Sequence, residues 1–490
     1  MALVLLAGAA GGATAAGSTA NAASDDGRRG SITNVIYLLG DGMGRTHVTA
    51  ARERYYGAQG KLVMETLPVV GQVKTYAVEP LSGQPGAADF VPSLVTDSAA
   101  SSTAWSSGVK SYNGALGVDA KGDVVPTIME LAHAKGLRTG NVSTAEITDA
   151  TPAGQASHAL ARGCQGPTYS ASSCQNLAVT GSALPTTDVR VTPIAEQMAR
   201  NGTADVILGG GLSRFDAADE TALLAQGYSV LSSPTTQTVA TKSDLASASG
   251  SKVFGLFNKG NLTIEKFKRE NPASVQAAEP TLPEMTAKAI DLLKAGSGKR
   301  HGFYLQVEGA LIDKRSHAND AAQTLEETKA FDDAVKVALD FAEKDGHTLV
   351  IVTADHECAG FNIIEKGTYT NAEAVSPPVN VDSGNTANNS TPSRPTAGAK
   401  DPVRSSGIVN GAGSNNPKNF GPATFRTADD PAGVVDGAPE ASLWLSYLSG
   451  NHTGADVPIF AYGRGSKALA GSVDNTDLFD IVGSALKLGD

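Results

Sequence analysis

Five short segments of the sequence carry side chains that bind divalent metal ions, each at or just past the end of a strand-like run. The candidate ligands are Asp41 in GDGMG, Asp149 and Thr151 in TDATPA, Glu308, Asp313 and His317 in VEGALIDKRSH, Asp355 and His356 in TADHE, and His452 in NHTG. Mixed Asp, Glu and His donors suit Zn²⁺, whereas oxygen donors alone suit Mg²⁺. Together the five segments predict a metal centre.

Each segment also has an ordinary structural explanation. Asp41 could cap a helix in a βα turn, and Asp313 and His317, four residues apart, could form the solvated face of one helix. Lone histidines are more often surface residues or satisfied core residues. The chain has only eight histidines, however, and three lie in these segments, so the combination favours a metal centre over separate explanations.

A serine with nucleophile character lies in LVTDSAASSTAWSSGVKSYNG, residues 94–114. Ser98 follows Asp97 and precedes a run of Ala and Ser that can begin a helix, where free backbone amides and the positive dipole end favour an anion. The alternative is that Asp97 or Ser98 is a plain helix cap. Because the chain has no G-x-S-x-G elbow, a histidine base is not indicated, and metal coordination would have to activate the hydroxyl.

The elements that must position these residues alternate between strand and helix. Strand-like runs occupy residues 34–39, 138–146, 204–211, 302–313, 348–357 and 457–463, with helical patterns such as 127–136 and 325–346 among them. Such alternation predicts a parallel or mostly parallel sheet covered by helices on both faces. In these sheets ligands bind at the carboxyl ends of the strands, and Gly40, Gly42 and Gly44 would let the backbone approach a ligand at that edge.

Composition limits the class of protein. The 490 residues, 41% of them hydrophobic, can bury a large core in one α/β domain or two smaller ones. A net charge of −11 argues against a nucleic-acid binder.

Residues 1–23 resemble the end of a secretory signal, with a disordered Ala/Gly tail as the alternative, and no later run is apolar enough to span a bilayer. A polar stretch at about residues 366–450 reads as a surface insertion.

The three cysteines have two different interpretations. Cys164 and Cys174 bracket a short polar loop, which suits a local disulfide in an exported protein, with a free pair as the alternative. Cys358 is left over, and we interpret it as an ordinary buried thiol.

The motifs GDGMG, TDSAASSTAW, STAEITDATPA, VEGALIDKRSH, TADHE and HTG, in this order, resemble those of bacterial alkaline phosphatases. The similarity extends from about residue 34 to the C-terminus except for the polar insertion. The resemblance implies a three-layer α/β/α sandwich with a mostly parallel central sheet, formed by one domain over residues 24–490. It also implies a secreted or periplasmic homodimer that hydrolyses small phosphate monoesters through a phosphoserine intermediate.

The resemblance further implies a role for each candidate residue. Ser98 matches the nucleophile, and Arg162 in SHALARGC matches the arginine that grips the phosphoryl group. Each chain would bind two Zn²⁺ and one Mg²⁺. The implied ligands are Asp313, His317 and His452 for one zinc; Asp41, Asp355, His356 and the Ser98 oxygen for the second; and Asp41, Thr151 and Glu308 for magnesium. Asp97, Asp149 and Lys314 would surround the phosphate, and Cys164 and Cys174 match a disulfide of some relatives.

Other functions stay open at this stage. Ser102 stands where the family usually has Gly or Ala, although it is still small. The same fold and metals could serve a phosphodiesterase or a dedicated phosphatase for one metabolite, such as a phosphorylated antibiotic precursor. A non-catalytic phosphate- or metal-binding protein is the alternative from a different class. The polar insertion could form a crown, a dimer contact or a substrate gate.

Overall fold

The run NVIYLLG forms a fully buried strand at the centre of a ten-stranded sheet in the computed structural model of the chain. The structure describes residues 32–296, 302–366, 423–438, 440–448 and 450–489. The signal-like segment 1–23, the proposed domain start at residue 24 and most of the polar insertion lie outside these residues. The fold is therefore described for the remainder of the chain.

The strands are short and numerous. In chain order they are β1 Asn34–Gly40, β2 Val69–Lys74, β3 Ala77–Val78, β4 Pro92–Ser93, β5 Arg138–Glu146, β6 Val206–Gly210, β7 Ser229–Val230, β8 Val253–Leu256, β9 Phe303–Gly309, β10 Thr348–Thr353, β11 Glu357–Cys358, β12 Asn362–Ile364, β13 Ala423–Phe425, β14 Leu443–Ser446, β15 His452–Thr453, β16 Val457–Tyr462 and β17 Gly471–Asp474.

The main sheet has the order β17-β2-β16-β10-β1-β9-β5-β6-β8-β7. Its strands are parallel except β16, which runs antiparallel to both of its neighbours, β10 and β2. This confirms the mostly parallel sheet predicted from the sequence. The carboxyl ends of β1, β5, β9 and β10 consequently meet at one edge, and the amino end of β16 lies at that same edge.

Helices cover both faces of the sheet. In chain order they are α1 Arg45–Tyr56, α2 Ser98–Ser107, α3 Ile128–Ala134, α4 Ala150–Ala153, α5 Ala171–Cys174, α6 Leu177–Thr180, α7 Ile194–Asn201, α8 Ala217–Ala225, α9 Lys242–Ser247, α10 Glu265–Glu270, α11 Leu282–Gly296, α12 Leu311–His317, α13 Ala321–Asp345 and α14 Asp477–Leu486. The helices α1, α10, α11, α12 and α13 pack together, and α2, α3, α4 and α14 form a second group. Both groups contact the central strands, and every residue of β1, β9 and β10 is buried, so both faces of the sheet are covered, as the predicted three layers require.

The helix predicted over residues 325–346 is α13, and its ends follow from local chemistry. The Asp320 side chain accepts a hydrogen bond from the Gln323 amide at the beginning, and Gly346 ends the helix in the left-handed conformation with φ 73°. The helix predicted over residues 127–136 is α3, which begins with a capping box between Thr127 and Glu130. Both predictions are confirmed.

Small sheets extend the fold beyond the edge of the main sheet. The strands β11 and β15 pair antiparallel, and β12, β14 and β13 form a three-stranded sheet. The last two of these strands belong to the segment predicted as a polar insertion, yet Phe425 and Trp444 are buried there.

Among the described residues, none of the helices combines the length and apolar character needed to cross a bilayer.

Candidate active site

The first group of predicted metal ligands lies where two adjacent central strands end. Asp41 follows β1 directly, and Asp355 and His356 follow β10, whose register pairs Leu39 with Thr353. His356 Nε2 lies 3.2 Å from Asp355 Oδ2 and 3.6 Å from Asp41 Oδ1. The Gly42 amide fixes the second carboxylate by donating to Asp355 Oδ1 at 3.1 Å. Parallel pairing of the two strands thus brings together ligands that are more than 300 residues apart.

The second group combines one helix with one short strand. Asp313 and His317 lie on α12, where His317 Nε2 is 3.2 Å from Asp313 Oδ2. His452 lies on β15 and places its Nε2 3.0 Å from His317 Nε2 and 3.5 Å from Asp313 Oδ1. The prediction that Asp313 and His317 share a helix face is therefore confirmed.

The two histidine rings are oriented by backbone carbonyls. His317 Nδ1 donates to the Gly450 carbonyl at 2.7 Å, and His452 Nδ1 donates to the Thr96 carbonyl at 3.0 Å. A carbonyl can only accept, so in the neutral rings both Nε2 atoms carry lone pairs, and these face each other. Burial lowers the pKa of His452, but Asp313 outweighs it and raises that pKa to about 9. The position between the rings therefore favours a cation.

The donor atoms fit bound metal ions. Asp313 Oδ1, Asp41 Oδ1 and Asp355 Oδ2 are buried without a hydrogen bond among the described residues, and so is Thr151 Oγ1. The three carboxylate oxygens lie 3.2–3.6 Å from the imidazole nitrogens given above. Buried polar atoms without a partner are costly, and a coordinated cation removes that cost. The donor types, Asp and His together, are those of a zinc site.

The predicted magnesium ligands lie beside the first group. Glu308, one residue before the end of β9, pairs with Leu39 of the adjacent strand β1 and accepts a hydrogen bond from Ser143 on β5. Thr151 lies on α4, the short helix that begins just after β5, and is buried. Burial raises the pKa of Glu308 to about 8 and that of Asp355 to about 6. Carboxylates packed this closely need positive charge nearby to stay ionised.

The predicted nucleophile is at the beginning of a helix, beside the candidate ligand His356. Ser98 is the first residue of α2, and Asp97 caps the helix by accepting from the Ala100 amide at 2.9 Å. Ser98 Oγ lies 3.2 Å from His356 Nε2. Asp97 is therefore the helix cap that the alternative interpretation expected. Ser98 is not a cap, and its hydroxyl faces the group formed by Asp41, Asp355 and His356. A metal ion bound by His356 would also be within reach of this hydroxyl.

Two carboxylates hold the predicted phosphate-binding arginine. Arg162 donates from Nη1 to Asp97 Oδ2 at 3.0 Å and from Nη2 to Asp149 Oδ1 at 2.8 Å. Lys314 Nζ donates to the other oxygen of Asp149 at 2.7 Å. These two cations outweigh burial and hold the pKa of Asp149 well below its usual range. The side chain is partly exposed, and an arginine has five N–H donors, so donors remain for a bound anion after these two hydrogen bonds are made.

Two features of the site differ from the sequence prediction or go beyond it. His452 does not lie after the carboxyl end of a strand of the main sheet, because it precedes β16. It reaches the edge of the sheet where the other candidate ligands lie because β16 is antiparallel. Cys358 is buried as predicted, but Sγ also lies within 4.8 Å of donor atoms of Asp313, His317 and His452. Its thiol donates to the Asp313 carbonyl. Its place two residues after His356 is the only sequence signal for this position.

Cys164 and Cys174 form a disulfide, as predicted. The bond closes the loop directly after Arg162 and ends in the short helix α5. It therefore stabilises the segment next to the arginine without contributing a side chain to the metal ligands.

A serine hydroxyl at a helix N-terminus beside two buried donor groups defines a metal-dependent hydrolase on an α/β fold. The family model described as alkaline phosphatase matches residues 32–488, and the chain belongs to that family. It is an enzyme that hydrolyses phosphate monoesters. The two donor groups agree with the metal dependence of the family.

Named relatives and solved structures agree with this assignment. The alkaline phosphatase of Escherichia coli is 42% identical over 66% of this chain and 69% of its own, and alkaline phosphatase H of Pseudomonas aeruginosa is 33% identical over 93% and 86%. Streptomycin-6-phosphate phosphatase of Streptomyces griseus is 39% identical over 66% and 73%. The structure of Thermus thermophilus alkaline phosphatase matches with a TM-score of 0.65 at 25% identity, over 94% of this chain and 92% of that one.

Proposed function

We propose that the enzyme transfers the phosphoryl group of its substrate to Ser98 and then to water. The observation that carries the proposal is the 3.2 Å separation between Ser98 Oγ and His356 Nε2 at the N-terminus of α2. Ser98 Oγ would attack phosphorus and give up its proton, while the bond from phosphorus to the alcohol oxygen breaks. Water would then cleave the phosphoserine and release inorganic phosphate.

The proposed ligands are divided among three ions. Asp313, His317 and His452 would hold one Zn²⁺, and Asp41, Asp355 and His356 the second. Asp41, Thr151 and Glu308 would hold Mg²⁺. When bound, such ions lower the pKa of the serine hydroxyl and stabilise the negative charge that develops on the attacking and leaving oxygens. Support comes from the buried, unpaired carboxylate oxygens and from the facing nitrogens of His317 and His452.

The charged residues of the chain would bind and orient the phosphoryl group. Arg162 would offer its remaining N–H donors to two phosphoryl oxygens in a planar fork, which favours the dianionic end of a monoester. Asp97 and Asp149 would hold that fork in place, and Lys314 would add positive charge and contact phosphate through water. The free amides at the start of α2 would add an anion-binding contribution around Ser98.

Hydrolysis of p-nitrophenyl phosphate beside bis-p-nitrophenyl phosphate tests this function. We expect fast monoester cleavage that a chelator abolishes and Zn²⁺ plus Mg²⁺ restores, with two zinc and one magnesium ion per chain by elemental analysis. Ser98→Ala should lose turnover and keep its metal. Ser102→Ala, four residues further along the same buried helix, is the matched control and should stay active. Preference for the diester, or turnover by the Ser98 variant, would contradict the proposal.

A dedicated phosphatase for one metabolite is the second candidate. Its support is the 39% identity to the relative named streptomycin-6-phosphate phosphatase. Broad specificity predicts similar kcat/KM for several unrelated monoesters, including p-nitrophenyl phosphate. A preference of several orders of magnitude for one phosphorylated aminoglycoside would instead select the dedicated function.

We also infer the organisation of the protein in the cell. An exported location is supported by the disulfide, which persists in oxidising compartments. One domain over residues 24–490 is supported by β16 and β17, which rejoin the main sheet after the polar insertion. A homodimer is supported by exposed apolar side chains at Val91, Leu94 and Val95. Cell fractionation and light scattering test the first and last of these inferences.

A further inference from the structure

His158 lies four residues before Arg162 and makes two hydrogen bonds with its ring. Nδ1 is 2.8 Å from the Gly117 carbonyl oxygen, and Nε2 is 2.9 Å from Glu130 Oε1. The side chain is only 8% exposed. A carbonyl and a carboxylate are both acceptors, so each ring nitrogen must donate a proton. Donation from both ring nitrogens is the hydrogen-bond pattern of an imidazolium ion.

The surroundings of His158 stabilise this charge. Among the described residues, the charged group that faces the ring is Glu130 on α3, which also caps that helix by accepting from the Thr127 amide at 2.8 Å. The other neighbours are the Gly117 carbonyl and Gln197, whose amide group pairs with the backbone N–H and carbonyl of His158. Burial lowers the pKa of His158, but Glu130 outweighs burial and raises that pKa above its ordinary value.

The contacts of His158 lead to Arg162 through a short antiparallel pairing. Leu116 and Ala159 exchange backbone hydrogen bonds at 2.9 and 2.8 Å. Further along, the Arg162 amide donates to the Gly114 carbonyl at 2.7 Å, and the Gly114 amide donates to Asp97 Oδ1 at 3.1 Å. A frame of backbone hydrogen bonds thus connects residues 114–117 with residues 159–162. His158 contacts one end of this frame, and the other end links Arg162 to Asp97, which caps the helix of Ser98.

The same frame is attached to the body of the nucleophile helix. The Gly117 amide donates to Thr103 Oγ1 at 3.0 Å, and Thr103 lies on α2, between Ser98 and the end of the helix. Gly117 therefore accepts the hydrogen bond from His158 Nδ1 through its carbonyl and contacts α2 through its amide. An ideal Cβ on Gly117 would be 2.6 Å from His158 Nδ1, which shows how closely the ring packs on this turn.

We propose that His158 is a positioning residue that acts as an imidazolium ion, fixing the Arg162 segment against the helix of Ser98, and that phosphate binding weakens when His158 loses its proton. The inference rests on the proposed role of Arg162. A neutral ring keeps one N–H and loses its donor to one of the two acceptors. The effect has a definite sign, because the interaction is complete at low pH and is lost as pH rises through the titration of His158.

The protonation state can be measured without any activity. In protein labelled with ¹⁵N-histidine, both ring nitrogens of His158, assigned by their loss in His158→Gln, should keep the imidazolium shift to a higher pH than a free histidine does. Titration of His158 at or below the pH of a free histidine would overturn the inference, even if the enzyme hydrolyses monoesters. Conversely, absence of phosphate binding would overturn the proposed role of Arg162 and leave the ring assignment standing.

Glu130→Gln gives the functional test. The Gln oxygen can still accept from the Thr127 amide, while its NH₂ can donate to Nε2 of a neutral His158, so both contacts persist without the charge. At each pH, the inhibition constant of inorganic phosphate for wild type is divided by the constant for Glu130→Gln. We expect this ratio to rise about three- to tenfold as His158 loses its proton. The ratio cancels groups that both proteins share. His133→Gln on the same helix is the control and should follow wild type. A ratio that stays flat with pH would refute the positioning role.

Discussion

Gly42 follows Asp41, a proposed metal ligand, and replacing Gly42 with alanine tests how the candidate ligands are packed. Its φ is +71°, and an ideal Cβ would be 2.8 Å from Cys358 Cβ and 2.9 Å from Asp313 Oδ1. Cys358 Cβ is next to the backbone, the Asp313 carboxylate is held by His317 and His452, and Asp313 Cα is itself 3.0 Å from the ideal Cβ. Gly42→Ala must therefore displace Asp313, a proposed zinc ligand, in addition to straining its own backbone.

The expected magnitude has two parts that a control separates. An L-residue in the left-handed region costs about 1–2 kcal/mol, partly offset by the lower entropy of the unfolded chain. Overpacking in a buried site costs about 1–3 kcal/mol more. Gly346 ends α13 with φ +73° and has nothing within 4 Å of its ideal Cβ. Gly346→Ala should therefore lose about 1 kcal/mol from the backbone term alone, and Gly42→Ala should lose about 2–4 kcal/mol.

Denaturant unfolding, zinc content and activity measured on both variants give the comparison. We expect Gly346→Ala to retain full zinc content and kcat/KM, while Gly42→Ala binds the zinc of the Asp313 group at least tenfold more weakly. If both variants lose the same stability and both keep their zinc, the steric overlap between the added Cβ and Asp313 is not significant. The argument that the glycine makes room for the ligands would then be wrong.

Three further predictions concern other parts of the molecule. Arg162→Lys should lower kcat/KM for p-nitrophenyl phosphate about 10- to 100-fold, since lysine cannot replace the fork that Asp97 and Asp149 hold; unchanged kinetics would refute its role. Burial raises the pKa of Glu327 to about 8, above its unfolded value, so its ionisation destabilises the fold progressively as pH rises between the two values. Glu327→Gln should therefore be more stable than wild type near pH 9, on the order of 4–5 kcal/mol, and equal to it near pH 4 in denaturant unfolding. Equal stability of the two proteins at both pH values would contradict this. The double variant Cys164→Ser, Cys174→Ser should lose about 2–3 kcal/mol of unfolding free energy, given the 10-residue separation of the pair. Wild type treated with a reductant should unfold at the same temperature as the variant. An unchanged melting temperature in both would refute the estimate.

The sequence was sufficient where a general rule connects chain pattern with position. Buried apolar runs followed by Asp41, Glu308 and Asp355 are adjacent parallel strands, and parallel strands present their carboxyl ends at one edge. The i, i+4 spacing of Asp313 and His317 is likewise a property of any helix. These ligands could be grouped before any coordinates were known, because the rules are local or depend only on strand direction.

Other contacts depend on how distant segments pack, and no local rule supplies them. The fork between Arg162 and its two carboxylates joins α2, the start of α4 and a loop. The imidazolium of His158 requires a carbonyl from one turn and a carboxylate from another helix. In the sequence, SHALARGC shows a histidine and an arginine four residues apart, which would suit a helix face. The observed segment is not helical, so that spacing carried no information about either contact.

His452 shows why the order of motifs can succeed where reasoning from strand exits fails. Its segment comes before β16, and in an all-parallel sheet a residue before a strand would lie at the opposite edge from Asp41. The reversal of β16 brings the amino end of that strand to the ligand edge, and pairing of β15 with β11 then sets His452 opposite Cys358, two residues after His356. One antiparallel strand in an otherwise parallel sheet thus allows a segment near the end of the chain to contribute the last candidate ligand.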